Sequence, residues 1–537
     1  MTGPGPSKDR NPERIAELEA ELERLQSSAR FQLGDLLISL RSPASWLQAP
    51  WRATRITRSL VARSGSRRLA IALEWGAGDR TFPDIAALPP AERRALARIC
   101  AGRAASALPS SSSLEDLAAL VSELRGYAEN PAALFAQGAA HTPQPRPSNS
   151  RVLFVVRSAL PAVRNGYALR THALARALTQ AGWSVCVAVL DQADGTQTDI
   201  DGVMYRGAGT HATRLGPEAW ISARVEKVSR IAASFEPDII HAASNFLCAA
   251  VASRAAAVHG TAWTYEVRGL WHITRSSVEP RFPGGPGFAF QNNAEREAIR
   301  QAKCVFTNGP ALENWAREGG AQQTVSIPNG ASDRPKPDDA AVQTLRLNWG
   351  AKPDMPVIGY LGKLTSYEGL PILMEASATL TRRGIQHRLV IAGDGPELGS
   401  LRQAGGARPD VVFTGLLDDG DAWTAAHAFN IHAVPRLDRP VTRLVPPLKP
   451  LDAMAAGRAL VVSDLPSMAD IIAAGAGIGC KAGDTKSLAA ALARLIADEA
   501  LRASTGEAGQ RLVREQRSWT QAASKLAENW RGIAAAP

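Results

Sequence analysis

The sequence has no long apolar run and no apolar leader, and each absence excludes a class of protein. No apolar stretch approaches the roughly 18–20 residues that are needed to cross a bilayer, so we expect no membrane-spanning helix. The opening residues, MTGPGPSKDRNPER, are polar and lack the apolar segment of a secretory signal. We therefore expect a cytoplasmic protein, either free in solution or resting on the inner face of a membrane.

Cysteine is scarce and scattered, which argues against a disulfide scaffold and a cysteine-ligated metal site. None of the cysteines stands at the short spacing of zinc ligands. No group of Asp, Glu or His residues resembles a metal site either, so we expect neither a metal nor a cofactor. We interpret the cysteines as buried thiols in a reducing compartment. They are Cys100, Cys186, Cys248, Cys304 and Cys480.

What the chain does contain is typical of a large globular protein with several domains. Of its 537 residues 45% are hydrophobic and 21% charged, and this length exceeds the usual limit of one hydrophobic core. The net charge of +10 favours anionic partners, which include nucleic acid, acidic lipid and nucleotide phosphates. Since no nucleic-acid-reading motif accompanies the charge, we do not expect a nucleic-acid partner.

Residues 1–140 form a predicted helical region that begins with a short heptad pattern. The pattern covers about two heptads, fewer than the three or four of a firm coiled coil. It therefore has two interpretations, a helix that forms a homodimer and an amphipathic helix that packs on its own chain. The apolar positions within residues 12–27 are Ile15, Leu18, Leu22 and Leu25.

A basic segment follows, running from Arg41 to Arg68 without a single acidic residue. Its arginines alternate with apolar residues that include Trp46 and Trp51. Such a mixture is typical of a segment that contacts anionic lipid at a membrane surface. A solvated basic surface is the other interpretation.

A proline-rich stretch, HTPQPRPSNS at 141–150, lacks core-forming residues and predicts a linker. After it, RVLFVV (151–156) is a continuous apolar run, as in a strand buried on both faces of a parallel sheet. A glycine-containing loop, a helix and the strand SVCVAVL complete a βαβ unit. Further buried strands are predicted in PDIIHA, TAWTYEV and KCVFTN. Residues 151–335 are therefore predicted to form a Rossmann-like domain.

The same α/β pattern starts again near residue 356. PVIGYLG, HRLVIAGDGP, DVVFTGLL, FNIHAVP and RALVVSD read as buried strands, with helices in LPILMEASATLTRR and PLKPLDAMAAG. Residues 336–510 are predicted to form a second Rossmann-like domain, and residues 511–537 a C-terminal helix. The fold class is thus α/β, with two doubly wound parallel sheets. Their carboxyl strand ends should face a shared cleft, where a ligand binds.

Several motifs in residues 151–537 together resemble those of the family 4 glycosyltransferases. No one motif is decisive, but their order and spacing are specific. The subgroup that they resemble most carries YEVRG in the first domain and YEGL in the second, and it is common among polysaccharide-building enzymes. The motifs are SALPAVRNGYALRTHAL, PDIIHA, YEVRGLW, the PNG before Ala331, GYLGKLTSYEGL, IAGDGPE and PRLDRPVTRLVPPLKPLDAMAAGR.

The resemblance implies the GT-B fold and a retaining, metal-independent glycosyltransferase. Such an enzyme moves a sugar from a nucleotide-diphosphate donor to a polysaccharide, glycolipid or other acceptor. The resemblance further implies that the first domain binds the acceptor, that the second binds the nucleotide sugar, and that the C-terminal helix crosses back to the first domain.

Four residues are the candidate catalytic groups. A departing diphosphate calls for fixed cations rather than for a protein nucleophile, and Lys363, at a strand end, and Lys449, at a helix start, supply them. A lysine in a loop is otherwise a solvated residue. The resemblance adds Asp452, in the place of a glutamate that binds the ribose hydroxyls, and Arg268, in the place of a histidine near the reacting sugar.

Glycine loops and neighbouring side chains are expected to contact the donor. Only glycine lets a backbone approach a phosphate without a Cβ clash. His241 follows a strand, and both a cleft-facing and a structural role are open for it. The candidate donor-binding residues are Asn165, Gly166, Gly362, Gly393, Gly395, Arg436, Arg443 and Leu451.

The chain departs from the family pattern at Arg443, which stands where the family carries a glutamate. A group that accepts hydrogen bonds from the donor sugar has thereby become a cation that only donates. Arg443 either recognises an anionic donor sugar or pairs with Asp452. In the alternative, the site has decayed and the protein is a catalytically silent sugar-binding or scaffold protein. Glu368 replaces a lysine of many family members, a change that the YEGL subgroup shares.

Overall fold

The computed structural model describes residues 123, 126–136, 150–209, 217–278, 282–284, 286–331, 334–405 and 408–535. From residue 126 onward these belong to one compact unit, Leu124–Pro537. The predicted coiled coil, the basic segment and all of the linker except Ser150 lie outside the described residues. Within the described part, no helix is long and apolar enough to cross a membrane.

The first sheet has eight strands in the order β3-β4-β2-β1-β5-β6-β7-β8. All neighbouring strands run parallel except β3, which pairs antiparallel with β4. The parallel strands are buried on both faces because helices cover the sheet, which explains their continuous apolar runs. The strands are β1 (Arg151–Val156), β2 (Ser184–Ala193), β3 (Gln197–Ile200), β4 (Val203–Gly209), β5 (Ile239–Ala243), β6 (Ala262–Val267), β7 (Val305–Thr307) and β8 (Thr324–Ser326).

Six helices accompany this sheet, together with two short 3-10 turns at Pro131–Leu134 and Phe282–Gly284. The first helix begins where the side chain of Asn165 accepts a hydrogen bond from the Ala168 amide at 2.9 Å, an N-cap that ends the β1 loop. The helices are α1 (Gly166–Gln180), α2 (Pro217–Phe235), α3 (Phe246–His259), α4 (Trp271–Ser276), α5 (Pro286–Gln301) and α6 (Pro310–Glu318).

The second sheet has six parallel strands in the order β11-β10-β9-β12-β13-β14. They are β9 (Val357–Leu361), β10 (Arg388–Ala392), β11 (Val411–Gly415), β12 (Ile431–Val434), β13 (Ala459–Ser463) and β14 (Ile478–Cys480). The helices are α7 (Asp339–Asn348), α8 (Leu370–Arg382), α9 (Leu398–Gly405), α10 (Asp419–Ala428), α11 (Pro440–Leu444), α12 (Lys449–Ala455), α13 (Ala469–Ala473), α14 (Thr485–Ala497) and α15 (Glu499–Gln516), with 3-10 turns at Ser366–Glu368 and Pro466–Met468.

The last helix, α16 (Trp519–Ala535), packs on the first sheet rather than the second. Its apolar positions recur at helical spacing, so one stripe is buried in the first core. Trp530 is fully buried there, and its indole N–H donates to the Thr264 hydroxyl at 3.2 Å. The ammonium of Lys525 donates to the Ser326 carbonyl at 2.9 Å.

The chain therefore crosses between the two sheets twice, and the two crossings lie side by side. The amide of Ala331, in the first crossing, donates to the carbonyl of Arg517, in the second, at 2.7 Å. Ala331 and Ser518 form an isolated parallel bridge. At Gly330 a Cβ atom would lie only 2.8 Å from the Trp519 ring, so a side chain there would separate the two segments.

The predicted fold class of two doubly wound α/β domains is confirmed. The boundaries at residues 140, 335 and 510 stay predictions. Of the cysteines, the four described residues are buried and free. His241 takes the structural role, because it is fully buried among aromatic rings and its Nδ1 lies 2.8 Å from the Thr264 hydroxyl.

Candidate functional site

The carboxyl strand ends of both sheets lead into one contact region between the two domains. Three glycines of the first domain face the loop Val445–Leu448 of the second. A Cβ atom at Gly166 would lie 2.9 Å from Leu448 Cδ1, and one at Gly309 would lie 3.2 Å from Pro446 Cγ. Gly269 lies at ordinary contact distance from Val445. The domains thus meet where the first domain presents glycine backbone, beside the predicted donor-binding loops.

Lys449 packs across Gly362, and Lys363 is the next residue in the chain. The Lys449 side chain runs across Gly362 so closely that a Cβ atom there would lie 2.5 Å from Lys449 Cε. Gly362 has a φ of +142°, which favours glycine. The side chain of Lys363, the next residue, is exposed at the carboxyl end of β9. Two candidate phosphate ligands therefore converge on one loop.

Lys449 is held by a carboxylate that the sequence interpretation did not assign to the site. Its Nζ lies 2.9 Å from Oε1 of Glu368, whose side chain is only 4% exposed. The same oxygen lies 3.6 Å from Nε of the buried Arg436. Burial lowers the pKa of Lys449, and the Glu368 carboxylate opposes that effect. We call these three residues the Glu368 cluster.

The loops that follow β9 and β10 run side by side. The Gly362 amide donates to the Ala392 carbonyl and the Leu364 amide to the Asp394 carbonyl, both at 2.9 Å. A Cβ atom at Gly393 would lie 1.9 Å from the Gly362 carbonyl oxygen. A Cβ atom at Gly395 would lie 2.3 Å from the Leu364 carbonyl oxygen. Both glycines are therefore required by loop packing, and their contact with a donor stays a prediction.

Asp452 lies one helical turn beyond Lys449, open to solvent at the side of the crevice. Burial by the surrounding protein raises the pKa of Asp452 to about 6. The Arg334 guanidinium opposes this rise, and the Asp419 carboxylate adds to it. Asp419 pairs with Arg334 at 3.2 Å and, from the loop before α1, with Arg164 at 3.2 Å. A network of charges thus connects the two domains beside Asp452.

Arg443 does not pair with Asp452 as one interpretation held. Its Nε and terminal nitrogen donate to the two carboxylate oxygens of Asp438 at 2.5 and 2.7 Å. These hydrogen bonds lower the pKa of Asp438. The pair forms because α11 places Arg443 five residues after Asp438, within reach of its forked guanidinium. Both side chains remain about half exposed.

Leu451 is buried, with its side chain in the core of the second domain beside Val434 and Met454. The turn of α12 that points Lys449 and Asp452 outward points Leu451 inward. Its predicted donor contact stays a prediction. In the same way, Asn165 and Gly166 lie exposed at the start of α1, and only the capping role of Asn165 is visible.

Arg268 lies at the carboxyl end of β6 in a second buried ion cluster, which we call the Glu266 cluster. Its Nε donates to Glu266 at 2.6 Å, and a terminal nitrogen donates to the Thr171 hydroxyl at 2.5 Å. Arg170 holds the other oxygen of Glu266 through two hydrogen bonds of 2.8 and 2.5 Å. Although burial raises the pKa of Glu266, the two guanidiniums hold it well below the ordinary value.

The structure thus gathers the predicted residues in two groups. Around β9, β10 and α12 it brings together Lys363, Lys449, Asp452 and the donor-loop glycines, with Arg436 beneath them. In the first domain Arg268 is tied into the Glu266 cluster. Among the described residues, no group of His, Cys, Asp and Glu could hold a metal ion. The partners that sequence reasoning missed are Glu266, Arg334, Glu368, Asp419 and Asp438.

Two family models match the chain in consecutive stretches. A model described as glycosyl transferase 4-like domain matches residues 165–364, and one described as glycosyl transferases group 1 matches residues 355–498. Together they cover well over half of the chain and both sides of the crevice.

Curated relatives match more locally. The chain is 29% identical over 249 residues to an alpha-D-kanosaminyltransferase of Streptomyces kanamyceticus, which is 45% of this chain and 63% of the relative. It is 29% identical over 191 residues to a phosphatidyl-myo-inositol mannosyltransferase of Mycolicibacterium smegmatis, which is 35% of this chain and 47% of that relative. The chain thus spans less than two thirds of the length of these relatives.

Solved structures share the two-domain architecture. A sucrose-phosphate synthase from Thermosynechococcus elongatus is similar with a TM-score of 0.60 at 20% identity, over 72% of this chain and 99% of that one. HepE of Anabaena, in complex with UDP-glucose, is similar with a TM-score of 0.57 at 18% identity, over 71% and 99%. At such identities the likeness shows the fold, which is that of two facing Rossmann-like domains.

Proposed function

We propose, from the premise that this chain belongs to the GT-B glycosyltransferases, that it transfers a sugar from a nucleoside-diphosphate donor. The acceptor is a glycolipid, a polysaccharide or another carbohydrate. The observation that carries the proposal is the position of Lys449 across Gly362, next to Lys363, at the carboxyl ends of the second sheet. By the rule for open α/β sheets, this is where a ligand binds.

The two lysines would stabilise the donor diphosphate as it leaves. Negative charge accumulates on the diphosphate when the bond to the sugar breaks, and prearranged cations lower the energy of that state. Lys449 is fixed by its contacts, whereas Lys363 is exposed and reaches the same loop from the solvent side. We assign Lys449 to the phosphate nearer the protein interior and Lys363 to the outer one.

Asp452 would bind the ribose. A carboxylate accepts hydrogen bonds from two neighbouring hydroxyls at once, and Asp452 is open to solvent one turn from Lys449. The similar HepE structure holds UDP-glucose, and a relative from Mycobacterium tuberculosis is a GDP-mannose-dependent mannosyltransferase. UDP-glucose and GDP-mannose are therefore the first donors to test, and phosphatidylinositol glycolipids are acceptors to test because two of the relatives are named for them.

Finer features belong to the same proposal. We infer that the reaction needs no metal or other cofactor and retains the anomeric configuration, as the YEVRG and YEGL motifs imply. We further propose that the protein works in the cytoplasm and that residues 1–140 contact an anionic membrane or a second copy. A glycolipid acceptor would make such contact useful, since it lies in the membrane surface.

The test of the function is donor binding followed by turnover. Purified protein is incubated with a panel of nucleotide sugars that includes UDP-glucose and GDP-mannose, with chelator present, and its melting temperature is measured. At least one donor should raise Tm, and the same donor should release nucleotide when an acceptor is added. The configuration of the product is then read by NMR. A protein that responds to none of the donors would contradict the proposal and favour the catalytically silent alternative.

A further inference from the structure

The Glu368 cluster holds one negative charge between two cations, directly beneath the loop that carries Lys363. We propose that the buried carboxylate of Glu368 is a positioning residue, which orients Lys449 and keeps it charged for a donor diphosphate. The inference rests on the function proposed above and assigns to that site a residue that does not itself touch the substrate.

The two cations that flank Glu368 keep unused hydrogen-bond donors, which favour an anionic ligand beside this carboxylate. Its Oε1 faces both Lys449 and Arg436, at 2.9 and 3.6 Å. Its Oε2 is buried and has no hydrogen-bond partner in the described part of the chain, and neither has Nε of Arg436. One carboxylate thus serves two cations, so the cluster keeps a net charge of one positive unit. An anion that binds beside Lys449 would balance that charge.

The position of Lys449 is fixed on several sides. Its stem lies against the backbone of Gly362, its ammonium lies 5.5 Å from the centre of the Tyr360 ring, and Glu368 takes one of its hydrogen bonds. An ammonium has three N–H donors, so two remain for phosphate oxygens. Its side chain is 17% exposed, so solvent reaches part of it.

Glu368 is the one described group whose charge favours protonated Lys449. Burial and the Arg436 guanidinium both lower the pKa of Lys449, whereas Glu368 raises it. From β12, β13 and α15 the residues packed around α12 include the apolar Val434, Leu460 and Leu512, and the α15 amide of Gln510, which is uncharged, donates to the Ala455 carbonyl. On α10 the nearby charged group is the Asp419 carboxylate, and it raises the pKa of Asp452. The Tyr360 phenol stays neutral because burial raises its pKa strongly.

Replacing Glu368 by glutamine removes the charge of the side chain and keeps its shape. The amide keeps the size of the side chain and one acceptor oxygen, but it no longer opposes the burial of Lys449. The pKa of Lys449 should therefore fall further, and the ammonium should lose its proton at a lower pH than in the unaltered protein. Nucleotide affinity in E368Q should accordingly decline as the pH rises, by about tenfold from about pH 7 to about pH 9. The unaltered protein should change by less than about twofold over the same range.

The experiment measures the affinity of the full-length protein for UDP and GDP by calorimetry at several pH values. Three variants accompany E368Q. Glu368→Asp restores the charge and should recover most of the affinity at alkaline pH. Lys449→Arg in the E368Q background carries a cation that does not deprotonate and should abolish the pH dependence. Asp410→Asn removes the carboxylate partner of Arg408 elsewhere in the second domain and should leave nucleotide affinity unchanged.

The outcomes separate the two proposals. If the unaltered protein binds neither nucleotide nor any donor of the panel, the glycosyltransferase function fails, and the role of Glu368 fails with it. If it binds, but E368Q shows the pH profile of the unaltered protein, only the positioning role is overturned. A loss in E368Q that is equal at every pH and accompanied by a large fall in Tm would also overturn it, because a purely structural residue gives that result.

Discussion

Each domain buries a glutamate between two cations at the carboxyl end of its sheet, and the two clusters differ in how fully they are bonded. In the Glu266 cluster, one carboxylate oxygen accepts two hydrogen bonds from Arg170 and the other accepts one from Arg268. Arg170 also donates to Asn329 and to backbone carbonyls. In the Glu368 cluster, one oxygen serves both cations and the other has no described partner.

The difference separates a structural ion cluster from one that is prepared for a ligand. A buried charge is tolerated when its partners satisfy it completely, and Glu266 meets that condition. Both clusters hold two cations and one carboxylate, but only the second leaves a carboxylate oxygen without a described partner. Arg268 is tied to Glu266 and Thr171 in this structure, and its catalytic role stays a prediction.

The largest effect is expected from Glu266→Gln, which would break the complete cluster. Arg170 and Arg268 would be left with an uncompensated buried charge, so the free energy of unfolding should fall by about 3–5 kcal/mol. Denaturant unfolding monitored by circular dichroism measures this loss. Glu295→Gln is the matched control, because Glu295 is also buried in the same domain but has no cation partner among the described residues, and burial raises its pKa to about 7. Equal losses in both variants would show that the ion pairs of Glu266 have no special weight.

The next effect concerns the open cluster. Lys449→Ala should weaken nucleoside-diphosphate binding by about tenfold to a hundredfold, the amount that one or two charged hydrogen bonds contribute. Tm without ligand should fall as well, because the buried Glu368 carboxylate loses its one close cation partner, so the affinity is measured at a temperature where the variant is folded. Calorimetric titration with UDP and GDP gives the affinity. Lys486→Ala, on the first turn of α14, is the control, and an affinity loss as large as that of Lys449→Ala would contradict the assignment.

A moderate effect should appear as a pH dependence of binding. The pKa of Asp452 is raised to about 6, so the carboxyl is increasingly protonated below that value and loses capacity to accept from ribose hydroxyls. Nucleotide affinity should therefore rise severalfold from about pH 5 to about pH 7 and then level off. Asp452→Asn should flatten this acidic limb. If nucleotide affinity in the variant still rises over this pH range, the titrating group is a residue other than Asp452.

The smallest effect is expected at Arg443. Its partner Asp438 is about half exposed, as Arg443 itself is, and such surface pairs contribute little to stability. Arg443→Ala should therefore shift Tm by no more than about 1 °C. If a donor sugar with a carboxylate is found to bind, its affinity should fall in this variant, whereas the affinity for a neutral donor sugar should not. Equal loss for both sugars would exclude recognition of the anionic group.

The sheets were predictable because parallel strands are buried on both faces and read as unbroken apolar runs. RVLFVV predicted β1 within the exact observed bounds, and PDIIHA and RALVVSD predicted strands to within a residue or two. The strands β3, β4, β8 and β14 escaped prediction because none of them is a long unbroken apolar run: β4 reads VMYRGAG, β8 TVS and β14 IGC. The sequence QTDI of β3 is also polar and only half-buried, so it carries no apolar signal.

The site was predictable as a set of positions but not as a set of pairs. Strand ends, glycine loops and the family resemblance directed attention to Lys363, Lys449 and Asp452, and the Lys449 side chain does lie across Gly362, beside Lys363. The partner of Lys449 stands 81 positions earlier in the chain, and only folding brings Glu368 to it. Arg443 shows the opposite case, since Asp438 lies five positions away and the family comparison directed attention to Asp452 instead.

The paired chain crossings at Ala331 and Arg517 determine how the crevice can open. The two connections contact each other and are joined by a backbone hydrogen bond, so together they form one hinge between the domains. A change in the angle between the domains would turn about that line, with small displacement there and growing displacement at the far rim. Substrate entry would then need only that the glycine contacts with Val445–Leu448 separate, while both hydrophobic cores move as intact bodies.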